Sequence, residues 1–161
     1  MAAEVTVRAA RAGDVDAVAE IWRVGWADGH LGNVPDALVA VRTPETFAAR
    51  TREGLGHTTV AVVAGQVAGF VMVVDDEVEQ VYVAATHRGS GLAAILLAEA
   101  ERQVAAEGYR EAWLAAAPGN ARARRFYERS GWADAGLFDY PADTADGPIS
   151  VPCHRYVKTV G

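Results

Sequence analysis

The sequence predicts a mixed α/β fold in which a mostly antiparallel sheet of about seven strands is flanked by about four helices. Residues 58–85 form three consecutive runs rich in β-branched residues and separated by short turns, which is typical of antiparallel hairpins. An amphipathic run over 92–107 then separates two strand-like segments, as a crossover helix does. The chain has 161 residues, which suits one domain spanning 1–161.

The first third of the chain contains one predicted strand and two predicted helices. Polar and apolar residues alternate over 4–10, which predicts the strand. Asp14 is placed to cap the first helix, and a loop is expected over 26–35 because this segment contains glycines and a proline. Thr43, followed by a proline and an acid, predicts the start of a second helix that runs to about Gly54.

The rest of the chain completes the order β-α-α-β-β-β-α-β-α-β-β. Turn residues and changes of hydrophobic period mark the boundaries between these elements. The predicted segments are strands over 58–64, 66–74, 77–85 and 111–117, helices over 92–107 and 120–130, an extended segment from 132, a loop over 140–150 and a last strand over 151–160.

Composition excludes several classes of protein. The formal net charge of −6 argues against a nucleic acid partner and mildly favours a cationic substrate. No apolar run is long enough to span a bilayer, and residues 1–5 lack the basic start of a signal peptide, so we expect no membrane partner and a cytoplasmic location. Cys153 is the single cysteine, which excludes an intramolecular disulfide and a cysteine-based metal cluster.

A glycine-rich turn, Arg88-Gly89-Ser90-Gly91-Leu92-Ala93, opens directly into the predicted helix 92–107. The first N–H groups of a helix have no intrahelical partner, and the helix start carries partial positive charge. Glycines let a phosphate approach these N–H groups, and Arg88 adds a full charge. The turn therefore predicts a pyrophosphate site over 88–93, although a plain strand–helix turn has the same pattern.

Two other phosphate motifs are disfavoured at this turn. The spacing Gly89-x-Gly91-x-x-Ala94 fits a dinucleotide-binding fingerprint, but that motif normally opens a domain and here follows three earlier strands. The next strand ends at Ala117 without the acid that would bind a ribose hydroxyl. A P-loop is excluded because no Gly-Lys-Ser/Thr follows.

Asn120, Ala123 and Tyr127 form a second constellation. Their spacing of i, i+3 and i+7 places them on one face of the predicted helix 120–130. An amide, a small residue and a phenol on one face can hold a thin, amide-containing chain. The alternative is that Asn120 is a helix cap and Tyr127 a half-buried packing residue.

Together these segments resemble the GNAT superfamily of acyl-CoA-dependent N-acetyltransferases, in particular its bacterial members. The likeness covers nearly the whole chain. It is strongest in Glu-Val-Glu-Gln-Val-Tyr-Val (77–83), His-Arg-Gly-Ser-Gly-Leu-Ala (87–93) and Asn-Ala-Arg-Ala-Arg-Arg-Phe-Tyr-Glu-Arg-Ser-Gly-Trp (120–132). In the family's pyrophosphate loop, Arg88, Gly91 and Ala93 match the expected positions. The segment 26–35 looks more loosely like the family's substrate-side helix and loop.

The resemblance implies an N-acetyltransferase that moves an acetyl group from acetyl-CoA to a primary amine by direct attack, with no metal. Glu79 or Glu77 would be the general base, directly or through a water, while Asp75, Asp76 and His30 remain further candidates. Tyr127 would donate a hydrogen bond or a proton to the CoA thiolate. The acceptor would be a small-molecule amine or a protein or peptide amine, and a homodimer is possible. An acyl-CoA-binding sensor that has lost transfer is the alternative.

The residues implied for acetyl-CoA binding are Val81, Tyr82, Val83, Arg88, Gly89, Ser90, Gly91, Leu92, Ala93, Ala94, Asn120, Ala123 and Tyr127. Those implied for the acceptor side are Trp22, Trp26, His30, Leu31 and His154, with Cys153 beside the last of them.

Overall fold

A computed structural model describes residues 4–161, which contain seven strands and five α-helices. The strands form one mixed sheet, and the helices lie on both of its faces. The strands are β1 Val5–Ala9, β2 Thr58–Val63, β3 Gln66–Val74, β4 Glu77–Val83, β5 Glu111–Ala116, β6 Ala133–Ala142 and β7 Ile149–Thr159. The helices are α1 Val15–His30, α2 Asp36–Val41, α3 Pro44–Glu53, α4 Leu92–Ala106 and α5 Ala121–Arg129. The strands lie in the order β1-β2-β3-β4-β5-β7-β6, and all neighbours are antiparallel except β4 and β5.

Alternating side chains of the sheet enter two separate hydrophobic clusters. Val71 of β3 packs with Leu96 of α4 on one face, to which α5 also contributes. Phe70, next to Val71 in β3, packs on the other face with Trp22 of α1 and Phe47 of α3. Each such fully buried side chain contributes roughly 1.5–3 kcal/mol of transfer free energy. Consecutive side chains of β2 and β3 face opposite sides of the sheet and are largely buried on both, so both sides are covered by helices.

The strand β4 carries a bulge at its centre and parts from β5. In the β3–β4 ladder, Met72 pairs with Gln80 and Val73 with Val78, so Glu79 has no partner. The pairing between β4 and β5 is limited to Glu77 and Trp113. Because a bulge bends a strand and increases its twist, β4 turns away from β5 beyond this point.

The predicted fold class and element order are confirmed, with the connection between β4 and β5 made by α4. Residues 4–161 contain five α-helices instead of the expected four or so, because the segment before Thr43 forms the additional short helix α2. The expected loop over 140–150 is shorter than predicted, since β6 continues to Ala142 and β7 begins at Ile149.

The expected loop over 26–35 is wrong in its first part, because α1 continues through both of its glycines to His30. A Cβ on Gly25 would lie 2.4 Å from Cδ1 of Tyr82, and one on Gly29 would lie 2.6 Å from Nδ2 of Asn120. The two glycines therefore allow neighbouring side chains to approach the helix rather than ending it.

The cap predictions are confirmed at one helix and corrected at another. The Thr43 hydroxyl accepts a hydrogen bond from the N–H of Thr46 at 3.3 Å at the start of α3. Asp14 does not cap α1 in the expected way: its carboxylate accepts bonds from the N–H of Arg11 at 2.8 Å and the guanidinium of Arg8 at 2.7 Å. It therefore ties β1 to the turn before α1. No helix within residues 4–161 is long and apolar enough to cross a membrane.

Candidate active site

The divergence of β4 and β5 opens a cavity of about 500 Å³ that extends along β4 and reaches the C-terminal end of β5. Residues 77–83 of β4 form one wall, and residues 115–117 at the end of β5 form the other. The start of α4, one face of α5 and the second half of α1 close its remaining sides. A parallel pair that separates in this way leaves backbone hydrogen-bonding groups facing the cavity.

Two of these backbone groups belong to Val81 and Val83. The N–H of Ala84 donates to the carbonyl of Ala68 at 2.8 Å, so even-numbered residues at this end of β4 bond to β3. By alternation, the N–H groups of Val81 and Val83 point to the opposite edge, toward β5. They can therefore bind the amide groups of an extended ligand lying along β4.

The glycine-rich turn lies at one end of the cavity. Gly89 and Gly91 have φ angles of +78° and +83°, and a Cβ on either would meet no atom within 4 Å. Gly91 precedes α4 without a side-chain cap, and the first intrahelical bond runs from the N–H of Ile95 to the carbonyl of Gly91 at 3.2 Å. The N–H groups of residues 92–94 are thus available to an anion.

The two side chains of this turn have local roles. The guanidinium of Arg88 forms an ion pair with Asp28 of α1 at 2.5 Å, which fastens the turn to the opposite side of the cavity. The hydroxyl of Ser90 donates to the carbonyl of His87 at 2.5 Å. Arg88 still lines the cavity, whereas Ser90 does not, so the hydroxyl of Ser90 shapes the turn.

One face of α5 brings Asn120, Ala123 and Tyr127 to the cavity. The Asn120 side chain accepts a bond from the N–H of Ala123 at 3.3 Å, so it caps α5 while its amide nitrogen faces Gly29. Tyr127 packs against Tyr156, with ring centroids 5.9 Å apart. Burial raises the pKa of Tyr127 to about 12, so its hydroxyl keeps its proton at neutral pH and acts as a donor.

Two carboxylates of β4 lie at the other end of the cavity. Glu77 accepts a hydrogen bond from the hydroxyl of Tyr140 at 2.6 Å. Burial raises the pKa of Glu77 to about 7; the bond from Tyr140 partly offsets this effect, and the charges of Glu79, Asp76 and Asp143 add to it. Burial also raises the pKa of Glu79, and the positive charge of Arg50 opposes that shift.

Residues 15–132 match the family model described as the acetyltransferase (GNAT) family. This segment is more than half of the chain and contains β4, the glycine-rich turn and α5. The chain belongs to the GNAT family of acetyltransferases. No match was found among the curated proteins.

Solved structures of low sequence identity share the fold of this GNAT protein. Ard1 from Thermoplasma volcanium is 19% identical, with a TM-score of 0.71 and 98% of each chain covered. YncA from Salmonella typhimurium with its cofactor acetyl-CoA is 21% identical, with a TM-score of 0.70 and 98% and 95% covered. PaiA N-acetyltransferase from Thermoplasma acidophilum in complex with coenzyme A is 16% identical, with a TM-score of 0.66 and 97% and 99% covered.

The structure brings some of the predicted acceptor residues of this GNAT protein together. Trp26 and His30 line the cavity and stack, with ring centroids 4.9 Å apart and an interplanar angle of 5°. Nδ1 of His30 lies 2.9 Å from the carbonyl oxygen of Trp26, and burial lowers the pKa of this histidine. A neutral imidazole on an aromatic ring therefore forms part of the wall.

Three predicted acceptor residues lie outside the cavity. Trp22, one turn before Trp26, is 1% exposed and belongs to the core beside Phe47. Leu31 follows the end of α1 and is 54% exposed. His154 points away because neighbouring residues of β7 face opposite sides of the sheet; it contacts Asp134 at 3.0 Å, while Cys153 lines the cavity.

Sequence reasoning pointed to only one, Asp143 of the predicted loop 140–150, among four further side chains that line the carboxylate end of the cavity. They are Arg42, Arg50, Tyr140 and Asp143. The two arginines lie within 42–50 and the other two residues within 140–143, and these segments are far apart in sequence, so no local pattern could have joined them. Within residues 4–161, no group of three or more His, Cys, Asp or Glu side chains could hold a metal ion.

Proposed function

We propose that this GNAT protein transfers an acetyl group from acetyl-CoA to a primary amine by direct attack. The observation that carries the proposal is the cavity between β4 and β5, which has an open glycine turn with free helix N–H groups at one end and two carboxylates of raised pKa at the other. An extended ligand with phosphates at one end and a reactive group further along matches this arrangement. Structures of similar fold are described with acetyl-CoA and with coenzyme A.

The residues that would hold acetyl-CoA fit its chemistry. The open backbone of Gly89 and Gly91 and the N–H groups at the start of α4 suit the pyrophosphate. The N–H groups of Val81 and Val83 suit the pantetheine amides and the thioester carbonyl, where a fixed donor stabilises developing negative charge. Asn120 and Ala123 would form the opposite wall. Bound acetyl-CoA supplies the activated acetyl group, and the chain supplies binding, orientation and proton transfer.

A glutamate of β4 would remove the proton that the acceptor amine must lose. A lysine-like amine has a pKa of about 10.4, so at neutral pH a base is needed, directly or through a water. A base is most effective when its pKa lies near the working pH. We therefore assign this role to Glu77, whose pKa is raised to about 7, with Glu79 as its neighbour on the same wall.

Tyr127 would donate a hydrogen bond to the sulfur as the acetyl group leaves. A thiol has a pKa of about 8.5, and burial raises the pKa of Tyr127 to about 12. Complete proton transfer from the phenol to the thiolate would therefore be uphill by roughly 5 kcal/mol. Stabilisation of the developing thiolate by a hydrogen bond needs no such transfer, and solvent can supply the proton afterwards.

Calorimetric titration with acetyl-CoA tests this function, with CoA, a longer acyl-CoA and NAD as comparisons. We expect micromolar binding of acetyl-CoA and no comparable binding of NAD. Gly91→Glu should abolish binding, because it places a side chain and a negative charge at the anion site. Gly147→Glu is the matched control, since Gly147 also has positive φ (+102°) and open space around it but lies outside the cavity. Folded protein that binds no acyl-CoA would contradict the proposal, and binding without transfer to any amine would favour the sensor.

A further inference from the structure

We propose that the acceptor of this enzyme is a small amine that also carries a carboxylate or a similar oxyanion, which Arg42 and Arg50 bind. This inference rests on the proposed acetyl transfer and names the substrate class for the same site. The observations that carry it are the positions of two guanidinium groups in the cavity and the partners that they have within the protein.

Arg42 lies at the end of α2 and lines the cavity. Its Nε is buried and has no hydrogen-bond partner among residues 4–161. A buried polar atom without a partner is unfavourable by about 1–3 kcal/mol, and more when it belongs to a charged group. Such a group is typical of a site where a ligand completes the hydrogen bonding.

Arg50 lies in α3 on the same side of the cavity, and its guanidinium carbon is 4.4 Å from the centre of the Trp22 ring. This cation–π contact explains how Trp22, although wholly buried, affects the cavity: it holds the charge of Arg50 over its ring. The contact uses none of the N–H donors of Arg50 in a hydrogen bond, so they can bind other partners. Within residues 4–161, Arg50 forms no salt bridge, whereas Arg88 at the other end of the cavity is paired with Asp28.

The two guanidinium groups keep their charges at neutral pH. Burial, together with repulsion from Arg50, lowers the pKa of Arg42 to about 10, which still leaves it protonated. The pKa of Arg50 is also lowered, chiefly by burial. The negative charges of Asp143 and Glu79 attract these arginines, but neither forms a salt bridge with them within the described chain. Two neighbouring cations without a paired carboxylate favour an anion from outside the protein.

The same end of the cavity also suits an amine. Glu77 and Glu79 line it together with the two arginines, and Glu79 is close enough to affect the pKa of Arg50. A ligand that bears both charges would direct its amine to the carboxylates of β4 and its oxyanion to the arginines. A planar guanidinium binds a carboxylate through two parallel hydrogen bonds, which fixes orientation as well as charge. Amino acids are the simplest molecules with these two groups at a short separation.

The test is a panel of L-amino acids, each paired with its own carboxamide and its own decarboxylated amine. Transfer from acetyl-CoA is followed by the release of the CoA thiol. We expect kcat/KM for the best amino acid to exceed that for its paired amide at least ~10-fold, since the amide lacks the charge that a bidentate pair requires. Arg42→Gln should raise KM for the amino acid at least ~10-fold and leave KM for the amide within twofold.

Arg50→Lys provides a second variant, because it keeps the charge near Trp22 but loses the planar fork; we expect an intermediate rise in KM. Arg52→Gln is the control, since Arg52 is on α3 but exposed and outside the cavity. Calorimetry of acetyl-CoA binding should give the same affinity for all three variants.

Equal use of amino acids and amides, or an equal loss of activity toward both in Arg42→Gln, would overturn the inference while leaving acetyl transfer in place. It is also overturned if no amino acid of the panel is acetylated or binds to the CoA complex. Failure to bind acetyl-CoA would instead remove the proposed function on which the inference depends.

Discussion

Replacement of Glu77 by glutamine tests the assignment of the general base through the pH dependence of activity. Glutamine keeps the shape of the side chain and an oxygen that can accept the bond from Tyr140, which is 2.6 Å long in the native protein. It removes the ionisable group whose pKa burial raises to about 7. Only the deprotonated form can accept a proton, so activity that depends on Glu77 must fall as the pH decreases through 7.

The size of the effect follows from that pKa. With a pKa of about 7, the carboxylate is about 9% ionised at pH 6 and about 91% ionised at pH 8. The ratio of kcat/KM between native protein and Glu77→Gln should therefore rise about 10-fold between these pH values and then level off. Taking this ratio cancels the titration of the acceptor amine, because both proteins use the same amine.

The assay is thiol release from acetyl-CoA with one saturating cosubstrate and a fixed acceptor, between pH 5.5 and 9. A ratio that does not change with pH would refute the assignment to Glu77; if the ratio for Glu79→Gln changes instead, the base is Glu79. Glu111→Gln is the control, because Glu111 is exposed on β5 and lies outside the cavity.

Thermal unfolding gives an independent check on the raised pKa of Glu77. An acid with a raised pKa in the folded state destabilises the fold as the pH rises from about 4.5 to about 7, so the stability of Glu77→Gln relative to the native protein should increase across that window.

The remaining predictions concern the phenol of α5, a glycine of α1 and the ion pair beside β1. Tyr127→Phe should lower kcat at least ~10-fold and leave acetyl-CoA affinity, measured by calorimetry, within ~1 kcal/mol; unchanged turnover would exclude a role for the hydroxyl. Gly25→Ala should destabilise the protein in urea unfolding, because the new Cβ would lie 2.4 Å from Tyr82; this clash should outweigh the helix propensity of alanine, which favours the substitution by about 1 kcal/mol. In a Tyr82→Ala background the same substitution should become stabilising. A penalty that persists in that background would show that the contact with Tyr82 is not its cause. Asp14→Asn should reduce the free energy of unfolding by about 1–2 kcal/mol at pH 7, since the bond from Arg8 stabilises the ionised carboxylate and lowers the pKa of Asp14. This difference between the two proteins should vanish as the pH falls through that lowered pKa. An equal loss of stability at pH 3 would exclude the ionised carboxylate as its source.

Local patterns predicted the elements whose causes are themselves local. Thr43, followed by a proline, predicted the start of α3, and the structure shows the expected bond from the N–H of Thr46. The glycines before α4 predicted a turn that opens directly into a helix with an accessible backbone, and the structure has this turn, with positive φ angles at Gly89 and Gly91. These features depend on residues within a few positions of one another, so a short stretch of sequence contains the whole explanation.

The same local rules failed where a distant side chain decides. The glycines and the proline of 26–35 indicated a loop from Trp26, but α1 continues to His30, and Gly29 lies against Asn120, which comes more than fifty residues later. The family resemblance assigned both Trp22 and Trp26 to the acceptor side, but it could not tell that Trp26 borders the cavity while Trp22 lies behind it in the core. The bulge at Glu79 depends on the register with β3, which the sequence of β4 alone does not specify.

The sequence by itself determined the mixed α/β fold and the family resemblance, because hydrophobic period, caps and the motif around the glycine-rich turn are properties of contiguous residues. Only the tertiary structure decided which side chains meet at the carboxylate end of the cavity. Arg42, Arg50 and Asp143 lie on separate segments and become neighbours only when α2, α3 and the loop after β6 pack around β4. The burial of the two arginines, and the repulsion that Arg42 experiences from Arg50, lower their pKa values and are products of that packing.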